Sequence, residues 1–402
     1  MTRITISALF ALNLVASAVV VQAAEWQIDP AINMRMGYND NIRLTPTDKI
    51  DSTEFTLSPS VLFGVRTPRS DVDGTLHFDF RRYPMVTGLN DNNARVDVNS
   101  HYKFEQSQLG LQLHLIQDTT LDSQLEQTGI VFDRSNRIAK GFTPSWTWLF
   151  NERTSIEADY SYENVNYESK NPGLSDYDAK TGQLSLVNVL SERTSARITL
   201  AHTLTSNDAG IDSSYTSLQA GATHSFSETL SGSLFAGVRR SEARYPQPVP
   251  LFYGPFFLGY VDTGQKTADV EWGSVFSASI DKRFERAETS LAASRDISTS
   301  FSGIPFTVTR LDWNNRYGFS ETLSGNLGLT WYDSESTNKR STVNSRYWTI
   351  RPELNWDFTQ FWRLSASYRY DHQKYRSSSA DAVQNSAYLT LTYRWPRIAI
   401  SR

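Results

Sequence analysis

The chain of 402 residues contains no cysteine. That excludes disulfides, thiolate metal sites, covalent c-type haem attachment and a lipid-anchored N-terminal cysteine. An excess of one charge is missing too: 39 Lys+Arg stand against 43 Asp+Glu, so nothing marks a nucleic-acid binder. Beyond the first two dozen residues no run of 18 or more apolar residues occurs, which removes any membrane-spanning helix from the rest of the chain. No cofactor motif is found, and six histidines lie scattered. Aromatic residues, by contrast, are plentiful, at 12% with ten Trp and nineteen Tyr. Many rings without long hydrophobic runs means that apolar residues are spread one at a time.

The opening segment MTRITISALFALNLVASAVVVQAAEWQ has Arg3, an apolar stretch interrupted by Asn13 and Ser17, and a small-residue exit at Val21-Gln22-Ala23. It reads as a secretory signal peptide over residues 1–23, leaving 24–402 as the exported part. Any membrane span in that part must be made of strands.

The heptapeptide FSETLSG occurs at Phe226–Gly232 and again at Phe319–Gly325. From the end of the second copy onward, Leu323, Gly325, Leu327, Leu329 and Trp331 alternate with Ser324, Asn326, Gly328, Thr330 and Tyr332. Before it, Leu311, Trp313 and Tyr317 alternate with Arg310, Asp312, Asn314 and Arg316. Period two on both sides makes the heptapeptide a tight turn between strands. Related turns follow Arg66, Phe104, Phe150, Leu190, Phe284 and Phe358, giving eight in all. Between them lie nine connections rich in Asp, Asn, Ser and Gly, such as Tyr38–Ser52, Pro84–Asn93, Asn166–Asp178, Asp333–Val343 and Asp371–Gln384. The pattern predicts an all-β fold: a transmembrane antiparallel barrel of about 18 strands, with short periplasmic turns and long extracellular loops. The span Ser241–Lys266 is long enough to hide one further strand pair.

Trp26, Trp146, Trp148, Phe150, Phe226, Tyr317, Phe319, Trp356, Phe358, Trp362 and Trp395 fall on apolar faces near the short-turn end. A soluble β-helix or sandwich has no reason to align its rings at one level, whereas a membrane interface does. Pro30, Pro59, Pro144 and Pro352 occupy outward strand positions, where bulges or bends are expected because proline cannot donate to the ladder.

The early YNDNI (Tyr38–Ile42), the LSPS-type strand prolines and the terminal YLTLTYRWPR together resemble outer-membrane β-barrel porins of the type 2 kind. The last strand is similar to the C-terminal signal read by the barrel-assembly machinery, although a tail, Pro396–Arg402, follows its final aromatic. The resemblance implies a Gram-negative outer-membrane location among lipid, and a passive channel. It further implies export of a polysaccharide in concert with periplasmic export proteins. It transfers no catalytic residue.

Candidate channel-lining residues are Arg35, Asp79, Arg81, Arg95, Asp97, Arg351, Glu353, Arg363, Arg369 and Arg394. Mixed charge suits a hydrated path for polar solutes, and equally suits ion pairs that brace the wall. Two loops stand out. Gln117–Asn136 carries Ile130, Val131 and Phe132. Ser241–Lys266 contains Tyr245, Phe252, Tyr253, Phe256 and Phe257 among several prolines, which predicts a constriction or a sugar-stacking surface, or else a self-packed cap. His77 and His101 face inward near Asp79 and Asp97, the nearest thing to an acid/base cluster, but no nucleophile is singled out. Asn39-Asp40-Asn41 and Asn90–Asn93 are oxygen-rich, without the spacing of a calcium loop, and read as solvated turns. Besides polysaccharide export, the sequence allows a general or solute-specific diffusion porin, or a structural barrel that sheathes or docks another envelope protein.

Overall fold

The computed structural model describes residues 24–127, 134–169, 174–253, 256–261, 263–300, 303–336, 344–375 and 381–401. The signal peptide expected over 1–23 lies outside them, as do Ile130, Val131 and Phe132.

Strands β1 (Glu25–Asn39), β2 (Ser52–Arg66), β3 (Ser70–Arg82), β4 (Asp91–Lys103) and β5 (Ser107–Thr119) lead into helix α1 (Thr120–Gln127). Next come β6 (Asn136–Asn151), β7 (Thr154–Tyr167), β8 (Tyr177–Ser191), β9 (Thr194–Asn207), β10 (Asp212–Ser227) and β11 (Leu230–Pro246). A hairpin, β12 (Val249–Tyr253) and β13 (Phe256–Val261), precedes β14 (Lys266–Arg283), β15 (Ala287–Thr299) and β16 (Pro305–Gly318). The chain ends with β17 (Leu323–Ser336), β18 (Ser345–Asp357), β19 (Trp362–Tyr375), β20 (Asp381–Arg394) and β21 (Ile398–Ser401).

Each wall strand pairs antiparallel with its neighbours in sequence, β11 passes directly to β14, and β20 returns to β1. The result is a closed antiparallel barrel of the porin type, with 18 wall strands. Closure leaves no free edge, which lets a sheet sit in hydrocarbon. The suspected extra pair exists, but β12 and β13 form a two-stranded sheet of their own, so the wall count stands.

Alternation decides the two faces. On β1, Trp26, Ile28, Met34, Met36 and Tyr38 are exposed outward, with Gln27, Asp29, Asn33 and Arg35 between them pointing in. The same outward exposure of Leu, Phe and Trp recurs around the barrel, a lipid-facing band rather than a soluble surface. Near the short turns the rings touch: Tyr317 with Phe319 at 5.0 Å, Trp356 with Phe358 at 5.4 Å, Trp362 with Tyr393 at 4.6 Å.

Both FSETLSG copies are hairpin turns, joining β10 to β11 and β16 to β17. On the other rim two connections are tighter than the composition suggested. Strands β9 and β10 are joined through residues 208–211, and β15 and β16 through 300–304, because the strands rise past the apolar band into polar sequence.

The strand prolines act differently from expectation. The ladder skips two pairs beside Pro59, Pro144 and Pro352, yet the register is unchanged on either side. Each proline simply withholds one donor from one neighbour, and no bulge forms. Only at Pro30 does the register move. There β20 ends at Ala31↔Arg394, and β21 resumes at Ile28↔Ile398. The tail after Trp395 therefore finishes the seam, helped by Arg397 Nε at 2.9 Å from Asp29 Oδ1.

The opposite end of the same seam uses the YNDN segment. Asp40 accepts from the Asn385 backbone and amide nitrogens, both at 2.7 Å. Buried Asn41 donates to Val383 O at 2.9 Å and to Thr45 O at 2.8 Å. This is a clasp between β1 and β20 rather than a solvated turn.

Candidate functional site

Parts of the extracellular connections fold into the outer half of the lumen. Leu44, in the β1–β2 connection, has φ +47, a left-handed conformation that costs a leucine about 1–2 kcal/mol. Its burial offsets that cost: Leu44 joins Tyr177, Phe306, Val308, Tyr332 and Tyr347 in an apolar cluster inside the barrel. A smaller cluster joins Ile42 to Tyr83 and Leu89 of the β3–β4 connection.

Helix α1 enters from the β5–β6 connection. Asp122 in its first turn meets Arg81 of β3 at 2.8 Å and accepts from Asn93 Nδ2 at 3.1 Å and Thr119 Oγ1 at 2.9 Å. Burial raises the pKa of this carboxyl, but the Arg81 charge and the three donors outweigh it and hold the group below its ordinary range. The return strand is pinned as well: Arg134 reaches Asp91 at 3.0 Å and Leu89 O at 2.7 Å, and Arg137 meets Asp118 at 2.9 Å. Asp91, read from sequence as part of a solvated turn, is thus a buried ion-pair partner.

Between α1 and the wall lies a cavity of about 500 Å³, lined by Arg35, Glu54, Asp79, Arg81, Asp122 and Arg369 among others. Its charges are largely paired. Arg35 meets Glu54 at 2.8 Å, and Arg369 meets buried Asp371 at 2.7 Å and donates to Tyr347 Oη at 3.1 Å. Asp79 accepts from Ser58 Oγ at 2.5 Å and lies 3.1 Å from His77 Nε2. The carboxylate thus stands between hydroxyl and imidazole, an arrangement that activates no nucleophile. His101 Nδ1 is 3.3 Å from Asp71, not from Asp97.

All ten candidate lining residues point inward, but in two groups. Arg35, Asp79, Arg81, Arg95 and Arg369 line the cavity, with Asp97 held by Arg95 at 2.5 Å. Nearer the short turns, Arg363 pairs with Asp357 at 2.6 Å, and Glu353 accepts from Asn355 at 2.6 Å. Arg394 and Arg316 both lie within electrostatic reach of Asp357. Arg351 faces the same stretch of lumen, directly opposite Gly328 of β17 in the ladder.

The five aromatic loop candidates do not form one surface. Tyr245 belongs to the wall, because the β11–β14 ladder runs on to Pro246↔Lys266, and its side chain is buried. Phe252, Tyr253, Phe256 and Phe257 lie on the separate β12–β13 hairpin. Phe252 meets Phe257 at 5.7 Å, while Tyr253 is 76% and Phe256 69% exposed. The ribbon pairs with itself, and Phe257 also meets Tyr260 at 5.1 Å. Inside the barrel the space is taken instead by α1, by the β1–β2 and β3–β4 connections and by the outer end of β15–β16. Glu54, Asp122, Arg134, Tyr347 and Asp371 were not anticipated. The available signal for α1 was the lapse of strand alternation after Thr119, where Asp122 stands in the first turn of the helix.

Among the described residues no cluster of His, Asp and Glu could hold a metal ion, and no helix is long and apolar enough to cross a membrane. No protein-family model matches the chain, and no curated protein does. Among solved structures it is similar to OccAB2 of Acinetobacter baumannii, with a TM-score of 0.48 and 12% identity over 92% of this chain and 98% of that one. It is also similar to OccK2 (OpdF) of Pseudomonas aeruginosa, at 0.47 and 11% over 92% and 97%. The outer membrane protein OpdK of the same organism follows, at 0.46 and 12% over 92% and 99%.

Proposed function

We propose that this chain is an outer-membrane porin through which small polar solutes diffuse passively. The observation that carries the reading is the ion-paired cavity of about 500 Å³ beneath the inward-folded connections, inside the range of roughly 300–1,000 Å³ typical of small-molecule sites. Fixed charges and amides on its wall replace part of a polar solute's hydration, while the barrel keeps lipid out.

Export of a polysaccharide, which the sequence resemblance suggested, finds no comparable support. A threaded polymer needs an unobstructed bore along its whole length, and Leu44, Tyr332, Tyr347 and α1 occupy that space. A sheath or docking role predicts an electrically silent barrel.

Conductance in planar bilayers separates the three. Small-solute diffusion predicts discrete steps, reduced by a monosaccharide that enters and unaffected by a large dextran. A silent barrel supports the sheath, and current interrupted by threading dextran supports polymer export.

A further inference from the structure

The hairpin β15–β16 leaves the wall before it reaches the rim. Its ladder with β14 stops at Phe276↔Arg295, although β14 continues to Lys266 and β15 to Thr299. Past that point β15 pairs only with β16, as far as Thr299↔Pro305, and β14 only with β11. Extending the same register would set Val275 opposite Asp296, Ser274 opposite Ile297, Gly273 opposite Ser298 and Trp272 opposite Thr299. None of those pairings is made.

The end of the hairpin lies across the lumen instead. A Cβ on Gly303, where φ is +73, would stand 2.9 Å from the Tyr177 Cβ on β8 and 3.1 Å from the Asn207 Cβ on β9. Those strands lie beyond β10, β11 and β14. Phe306 and Val308 enter the apolar cluster with Tyr177, Tyr332 and Tyr347. The back of the hairpin is covered as well, with Thr307 3% exposed. Its cover is Arg239 of β11, itself 2% exposed, which donates from Nη2 to Thr307 Oγ1 at 2.5 Å. To get there the guanidinium crosses β14 at Gly273, where a Cβ would lie 2.9 Å from Nη2 and 3.0 Å from Cζ. Only a residue without a side chain leaves that path open. Glu271 stands 3.9 Å away as the counter-charge.

We propose that the outer end of β15–β16 is a lid with two seats. In the closed seat, seen here, Arg239 holds Thr307 from behind while Phe306 and Val308 sit in the apolar cluster. In the open seat the hairpin swings back and completes the ladder with β14, so that the lid becomes wall and the outer lumen widens. Closed, the hairpin has apolar burial and one charge-assisted hydrogen bond; open, it has ladder bonds. Packing and ladder formation are discrete alternatives, so the element is bistable rather than continuously deformable. Whatever weakens one seat shifts the population toward the other. The electrical readout of this proposal rests on the channel reading; the cross-linking readout does not.

Because the chain has no cysteine, an engineered pair is unambiguous. Ser274→Cys with Ile297→Cys forms a disulfide only in the open seat. It is assayed in full-length protein reconstituted in liposomes, with and without Arg239→Ala, and heat-modifiable migration on gels confirms folding. Loss of the arginine latch is expected to speed cross-linking about tenfold, the worth of one hydrogen bond to a charged group. Thr307→Val, a milder change, is expected to act in the same direction. In bilayers both latch variants lengthen the high-conductance dwells, and the oxidised pair holds them until reductant is added. No cross-link in folded protein, with or without the latch, overturns the lid. So does unchanged dwell behaviour in both latch variants of a channel that conducts. If the wild type is silent while cross-linking responds to Arg239→Ala, the channel reading fails and the lid survives.

Discussion

The short-turn half of this barrel and its extracellular half are made of the same strands but held by different physics. In the first, alternation does nearly everything. Rings face out at one level, small and polar residues face in, and turns of a few residues set the register. In the second, the same strands rise beyond the lipid band, and their connections turn inward. Contacts there are made across the lumen by arginines, tyrosines and carboxylates far apart in sequence. The wall is a repeating local structure; the plug is a unique tertiary one. Only the plug can give the barrel a selective interior, since an 18-stranded wall alone leaves an open bore.

That contrast predicts where substitutions change transport and where they change only stability. The largest effect is expected at Tyr347, 2% exposed and bonded to both Asp371 and Arg369. Tyr347→Ala should cost about 3–5 kcal/mol and raise conductance severalfold, read by thermal unfolding and bilayer recording together. Asp122→Ala comes next. It leaves Arg81 with only Asp91, at 3.6 Å, and should cost roughly 2 kcal/mol, freeing α1 from the wall and increasing conductance without unfolding the barrel. Trp356→Ala, in the ring near the short turns, is the control from the other half. It should cost about 1–2 kcal/mol in lipid, by loss of apolar contact, and leave conductance unchanged. A conductance change at Trp356 equal to that at Asp122 would erase the distinction between the two halves.

The smallest expected effect is acid. The Asp122 carboxyl titrates below the ordinary carboxylate range, held there by the Arg81 charge and its donors, so it favours the folded arrangement above the unfolded pKa, and that contribution fades as pH falls through the lower folded value. Conductance should therefore be flat from pH 8 to 5 as far as this group is concerned, and should rise only below about pH 4.

How much of this was legible in the sequence follows from the same contrast. The 18 strands, the turn role of FSETLSG and the inward direction of Arg35, Arg81 and Arg369 could all be read from period two, because side of the sheet is a local property. Partners across the lumen could not. Arg81 and Asp122 are 41 residues apart, Arg239 and Thr307 68, and alternation says nothing about how far a side chain reaches or which loop folds in. The aromatic loop misled for a related reason. Rings signal a need for contact but not its location, and Phe252 and Phe257 met each other on their own hairpin. The prolines showed the converse limit: a missing donor was foreseeable, but that the ladder would skip it without a bulge depended on both neighbouring strands.

The central claim is a wet lumen narrowed by its own extracellular connections. It is tested most directly by the swelling of liposomes containing the purified protein in isotonic sugars of increasing size. Rapid swelling with monosaccharides, falling to nothing for larger oligosaccharides, is the result expected. Equal permeation by every sugar, or by none, would contradict it.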